Sequence, residues 1–299
     1  MKNVAASVRA RLTNQARATG VSLPSLIERF AIGRLLWRLS ESAESKRFVL
    51  KGAQLFSLWA DAPHRPTRDL DLLSFGDPSV DAMRAFFEGL LAREVEPDDG
   101  LVWGELSVGP IRNDQRYGGV RVSIWVLLDG ARIPVQVDIG FGDAITPSPE
   151  ERTWKELLDF PEARLLTYPP ETVIAEKLHA AVDLELSNSR MKDFFDLDWL
   201  QANREFDFDI LHHAIAVTFE RRETTLPTEV PLALTEAFSG DPTKLTQWRA
   251  FLRKNRIVAD PLPEVVERLH RFLSPMIGKR TASKGATWTP ENGWTENLS

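Results

Sequence analysis

Between Leu101 and Phe141 apolar and polar residues alternate with a period of two. Successive side chains of a strand point to opposite faces, so "LVWGELSVGPIR", "VRVSIWVLLDG" and "ARIPVQVDIGF" predict three strands with a buried side each. Asp129-Gly130 separates the last two and predicts a tight hairpin turn. Any fold for this chain must therefore contain an antiparallel ribbon. Elsewhere the spacing is helical. It predicts helices over 3–18, 23–42, 53–60 and 78–93, with short strands at Phe48–Leu50 and in "RDLDLLSF". "GDAITPSPEE" reads as a loop. Pro169-Pro170 punctuates the chain, and helices dominate from 171 to about 274. The predicted class is α+β. A mixed-sheet domain with N-terminal helices spans 1–165, a mainly helical domain spans 166–275, and a flexible polar tail spans 276–299. Trp288 and Trp294 in that tail are large enough to dock.

The "DLD" strand poses a chemical problem. Asp69 and Asp71 stand two residues apart among leucines, so both carboxylates share one face. Two unpaired carboxylates in a desolvated space repel each other and lose hydration. They need a positive partner, or the open end of the strand. Asp138 in "PVQVDIGF" falls opposite Val135, Val137 and Ile139, on the same side as Gln136. A mixed sheet that brings the two strands together gathers three carboxylates, an oxygen-rich set of the kind Mg²⁺ prefers. Such ions serve in-line phosphoryl or nucleotidyl displacement. Upstream, "VLKGAQLF" places Gly52 and Ala53 at a strand-to-helix turn, where backbone N–H groups suit a triphosphate. Lys51, Arg65, Thr67 and Arg68 flank this turn or the carboxylates, and the basic ones are placed to neutralise phosphate charge. A bland reading stays open, in which Asp69 and Asp71 pair with Arg65 and Arg68 at a sheet edge.

In the second half, Lys177 falls inside the apolar stripe of Val173, Ile174, Leu178, Ala181 and Val182. A lysine there needs an anionic partner or ligand, unless its stem snorkels. Arg190, Asp193 and Asp196 follow at spacings of three, with Lys192 four before Asp196. Plain helix salt bridging would explain that spacing. The interleaved Phe194, Phe195 and Leu197 favour a partly buried site.

Composition removes other classes. There are no cysteines, which excludes thiolate metal sites and disulfides. The five histidines are scattered and lack zinc-site spacing, and no P-loop occurs. No apolar run spans a membrane, and "MKNVAASVRARLTNQ" lacks the apolar centre of a secretion signal, so a cytoplasmic location is expected. The net charge is −6, yet the first 40 residues hold seven Lys/Arg against Glu28 alone, and "WRAFLRKNR" at 248–256 is a second basic cluster. Both are solvated helix faces or phosphate-binding patches.

Taken in order, "FVLKGAQLFSLW…HRPTRDLDLL", "VQVDIGFGDAI" and "YPPETVIAEKLHA…NSRMKDFFDLDWL" resemble the AbiEii/MenT-like nucleotidyltransferase toxins of the DNA polymerase β-type superfamily. The resemblance covers roughly 45–275. It implies that Gly52-Ala53 is a phosphate-binding turn and that Asp69 and Asp71 bind metal. Asp138 becomes the third carboxylate, placed to deprotonate an attacking hydroxyl. Lys177 contacts nucleotide phosphates, and Asp193 is the acid of the last motif, with Arg190 and Lys192 beside it. Ala53 departs from relatives that carry Gly or Ser there, so a hydroxyl contact is lost while the backbone amide remains. The implied activity is Mg²⁺-dependent transfer of NMP from an NTP to RNA, the tRNA 3′ end above all, in a toxin–antitoxin or abortive-infection system with a cognate antitoxin. Two alternatives stay open: a nucleotidyl- or phosphotransferase acting on a protein or small molecule, and a non-catalytic nucleotide-binding module.

Overall fold

The structure is a computed structural model that describes residues 3–60, 64–67, 69–111, 118–277 and 285–296. It divides into two units, 1–142 with 150–167, and 143–149 with 168–299.

The first unit runs α1 (Val4–Thr19), α2 (Leu23–Ser40), β1 (Phe48–Lys51), α3 (Phe56–Trp59), β2 (Asp69–Ser74), α4 (Val80–Leu91), β3 (Val102–Ile111), β4 (Gly119–Leu128), β5 (Ala131–Phe141), β6 (Glu150–Trp154) and β7 (Ala163–Thr167). Side-chain caps start its long helices. Asn3 Oδ1 accepts the Ala6 N–H at 3.0 Å, and Ser79 Oγ accepts that of Ala82 at 3.2 Å. The strands form one mixed sheet in the order β3-β4-β5-β2-β1-β7-β6. β2 is parallel to β5 and β1 to β7, and the other neighbours are antiparallel. On β4, Val120, Val122, Ile124, Val126 and Leu128 are buried, while Arg121, Ser123, Trp125 and Leu127 are exposed. Burial of one such side chain is worth about 1.5–3 kcal/mol, which fixes the register, since a one-residue slip would invert the whole strand. Asp129 and Gly130 both take positive φ, 44° and 78°, as the two-residue hairpin requires. Strands β6 and β7 were not expected. β6 is an edge strand with four exposed residues before Trp154, so it carries no alternation to detect.

Two arginines of the basic N-terminal segment are core residues. The Arg34 Nε donates to Asp99 Oδ2 at 3.3 Å and its Nη1 to the Pro161 carbonyl at 2.9 Å, while Arg38 Nη1 donates to the same Asp99 oxygen at 2.7 Å. Glu156 lies 3.4 Å from Arg34 Nη1, and burial pushes its carboxyl up to about 7 against the pull of Arg34. Arg9 and Arg11 pair with Asp129 and Asp159.

The second unit runs α5 (Pro170–Leu184), α6 (Met191–Asn203), β8 (Phe206–Asp207), α7 (Phe208–Arg221), α8 (Glu236–Ser239), α9 (Pro242–Asn255), α10 (Leu262–Leu273), β9 (Ala286–Thr289) and β10 (Gly293–Glu296). Its opening segment 143–149 is held by Thr172, whose Oγ1 accepts the Thr146 N–H at 2.9 Å and donates to the Thr146 carbonyl at 2.8 Å. The expected flexible tail is instead a hairpin over 286–296, in which β9 pairs with both β10 and β8. Trp288 Nε1 donates to the Gln201 carbonyl at 2.8 Å, and Trp294 Nε1 to that of Phe272 at 2.9 Å. Trp294 stacks on Phe272 and Trp288 packs tilted against it, and these contacts outweigh the polar composition. No helix among the described residues is long and apolar enough to cross a membrane.

Candidate active site

In the first unit the sheet register sets the geometry. Asp71 of β2 lies opposite Lys51 of β1 on one side and Asp138 of β5 on the other. Asp69 lies opposite Gln136, whose Nε2 donates to Asp69 Oδ1 at 3.1 Å. Residues paired across strands share a face, so the three carboxylates stand together. The third carboxylate, Asp138, has a basic partner from the protein. Arg121 of β4 donates through Nε and Nη2 to the two oxygens of Asp138, at 2.8 and 2.7 Å. Those hydrogen bonds, with the charges of Asp138, Asp69 and Asp71, hold the guanidinium above its ordinary pKa. Sequence reasoning missed Arg121, although the hairpin contains the signal. Counting outward from Asp129-Gly130, residue 121 meets residue 138.

Gly52 sits at the end of β1 with φ +73°, and a Cβ added there would lie 2.1 Å from Asp71 Oδ2. Glycine is therefore required twice, by the backbone and by the carboxylate pressed against it. Gly52 to Leu55 form a 3-10 turn that leads into the four-residue α3. This corrects the expected helix over 53–60: the macrodipole is short, and the cradle rests on the turn's backbone and the space glycine leaves. His64 stacks on Phe56 at 4.1 Å and ties the loop before β2 to α3. Arg65 and Thr67 are half-buried in that loop. Arg68 lies outside the described residues.

In the second unit Lys177 has found its anions. Its Nζ donates to Asp193 Oδ1 at 2.6 Å and Asp196 Oδ2 at 2.8 Å, and both acids are buried. Arg190 Nε lies 2.9 Å from Asp193 Oδ2 without the alignment of a hydrogen bond. Lys192 is exposed and makes no ion pair among the described residues, so the expected pair with Asp196 does not form. The turn that launches α6 is held from two sides. Asn188 Oδ1 accepts the Arg190 N–H at 2.8 Å, and the buried Lys244 donates to the Asn188 carbonyl at 2.9 Å. His179 is a packing residue. Burial and the neighbouring Arg222 push its pKa down to about 4, so the ring is neutral between Phe219 and Thr224.

The first unit thus sets three carboxylates in one row, with Asp71 against the Gly52 turn. The family model described as "Nucleotidyl transferase AbiEii toxin, Type IV TA system" matches residues 34–271. The chain belongs to this family and is a nucleotidyltransferase of the toxin–antitoxin type. It is similar to two solved structures. One is a candidate nucleotidyltransferase from H. pylori, at 16% identity and TM-score 0.49, covering 83% of this chain and 92% of that one. The other is JHP933 from Helicobacter pylori, at 15% identity and TM-score 0.47, covering 82% and 88%. No curated protein matches the chain.

Proposed function

We propose that this toxin transfers NMP from an NTP to an RNA hydroxyl, with the tRNA 3′ end as acceptor and Mg²⁺ as cofactor, and that a cognate antitoxin opposes it. The observation that supports this most is the shared row of Asp69, Asp71 and Asp138 beside Gly52. Among the described residues, no group of three or more donors stands ready as a metal site. Each oxygen of Asp138 accepts one hydrogen bond from Arg121. Asp69 and Asp71 fit Mg²⁺, which commonly takes one or two carboxylates and completes its shell with water and phosphate oxygens. When bound there, Mg²⁺ neutralises triphosphate charge and orients the NTP. Asp138 is assigned as the base. It takes the proton of the acceptor hydroxyl as that oxygen bonds to the α-phosphorus and pyrophosphate leaves. Arg121 orients Asp138 through one lone pair on each oxygen, which leaves another to accept that proton. Lys177 is neutralised by Asp193 and Asp196, so it is assigned to fixing those acids instead of gripping phosphate. Arg190, half-exposed with its Nε 2.9 Å from Asp193 Oδ2, adds a second cation beside those acids.

The test is transfer of α-labelled NTP, each in turn, to bacterial tRNA with Mg²⁺. Label is expected with the native chain and not with Asp69→Asn/Asp71→Asn, whose fold should persist. Equal labelling by the variant refutes the assignment. Label on a protein or small molecule in place of tRNA refutes the acceptor.

A further inference from the structure

The structure treats its two basic clusters differently. The N-terminal one is largely consumed: Arg34 and Arg38 are buried with Asp99, and Arg9 and Arg11 pair with acids. The second is intact. From Pro242 to Ala259 the chain carries five Lys/Arg and no acid. Lys244 is buried, while Arg249, Arg253, Lys254 and Arg256 are exposed and make no ion pair among the described residues. The inner face of α9 is pinned. Trp248 is buried with its Nε1 on the Asp260 carbonyl at 3.0 Å, and Phe251 packs against Trp248 and Phe195. Arg249 and Arg253 are spaced i, i+4 on the outer face, and Arg256 follows just past the helix end.

Cations in a last turn also stabilise the helix dipole, which would account for Arg253 and Lys254. It does not account for Arg249, which lies earlier, and at Arg256 the gain is opposed by the backbone. Arg256 occupies the left-handed C-cap at φ 55°, where glycine is favoured and a side chain costs stability. Arg256 nevertheless holds an exposed guanidinium at the end of the patch. Resting on the RNA-acceptor reading above, we propose that the outer face of α9 with Arg256 docks the acceptor RNA through its phosphate backbone. A chain of net charge −6 repels RNA elsewhere, so an acid-free patch provides the complementary field. Guanidinium contacts to phosphate carry no base information. The patch therefore holds the acceptor by charge and leaves choice of sequence to other groups.

The test is binding of fluorescently labelled tRNA across a salt series. Arg249→Gln/Arg253→Gln/Arg256→Gln should weaken binding at least roughly tenfold and flatten the slope of log K against log salt by about 2–3, near one per contact removed. Arg249→Lys/Arg253→Lys should retain most of the affinity. Arg256→Gly separates docking from folding, because it should unfold at higher urea yet bind RNA more weakly. Asp69→Asn/Asp71→Asn should bind tRNA like the native chain while transferring nothing. Native affinity and slope in the triple variant would overturn the α9 assignment, leave the transfer reading standing, and turn attention to an acidic protein partner for this helix. Absence of tRNA binding by the native chain would overturn both.

Discussion

Replacing Gly52 with alanine tests the contact on which the site geometry turns. Two costs add. An alanine held at φ +73° is in the left-handed region, which costs about 1–2 kcal/mol. The new methyl would also stand 2.1, 2.6 and 2.7 Å from Oδ2, Cγ and Cβ of Asp71. Rotating the carboxylate relieves only the first of these, because Cβ is fixed by a β2 backbone paired on both sides. Overpacking of this kind costs about 1–3 kcal/mol. The expected loss is therefore about 2–5 kcal/mol, read as a lower urea midpoint. Asp71 must also move, and a shift near 1 Å at a reacting centre lowers rate by about 10²-fold. Nucleotide transfer, measured in conditions where the variant is folded, should fall by that order. The same substitution in an Asp71→Ala background meets only the Cβ contact, so the two changes should be non-additive by about 1 kcal/mol or more. Strict additivity, or a Gly52→Ala variant with native stability and rate, would refute the argument.

Other outcomes follow from the geometry. Lys177→Met leaves Asp193 and Asp196 buried without their shared cation and should cost about 3–5 kcal/mol in a urea titration; a loss under 1 kcal/mol would show the acids relax into water. Glu156 binds its proton more tightly folded than unfolded, so its contribution is full below about 4.5 and is lost as pH rises to about 7. That change is about 3 kcal/mol. Glu156→Gln should flatten this part of the stability–pH curve, and an unchanged slope would assign it to other groups. Arg121→Gln should leave the fold intact, since the side chain is 44% exposed, and lower kcat more than it raises the KM for NTP. Arg121→Lys should rescue only partly, because lysine lacks the two-pronged fork. Full activity in Arg121→Gln would remove this residue from the mechanism.

Much of this site is readable along single strands. Period two alone puts Asp69 with Asp71, and Asp138 with Gln136, on common faces. The pairing of those strands is long-range and has no local signature, yet the Asp129-Gly130 turn does fix Arg121 against Asp138 by simple counting. What stayed hidden depended on partners distant in sequence. Arg34 and Arg38 look like solvated charges until Asp99 and Glu156 arrive beside them, and Lys177 looks like a stray cation in an apolar stripe until Asp193 and Asp196 close on it. The C-terminal hairpin was misjudged because composition weighed its threonines and glycines above two tryptophans with a phenylalanine to meet.

The chain leaves the first unit after Gly142, spends seven residues in the second, and returns for β6 and β7 before departing again at Tyr168. Neither unit is an uninterrupted run of codons. A gene cut at residue 165 or 167 would yield a first fragment trailing 143–149, stripped of Thr172, and a second fragment lacking the strand of chain that Thr172 bonds. Separating the two units calls for excising 143–149 behind a short linker on one side, and supplying it as a peptide or a permuted terminus on the other.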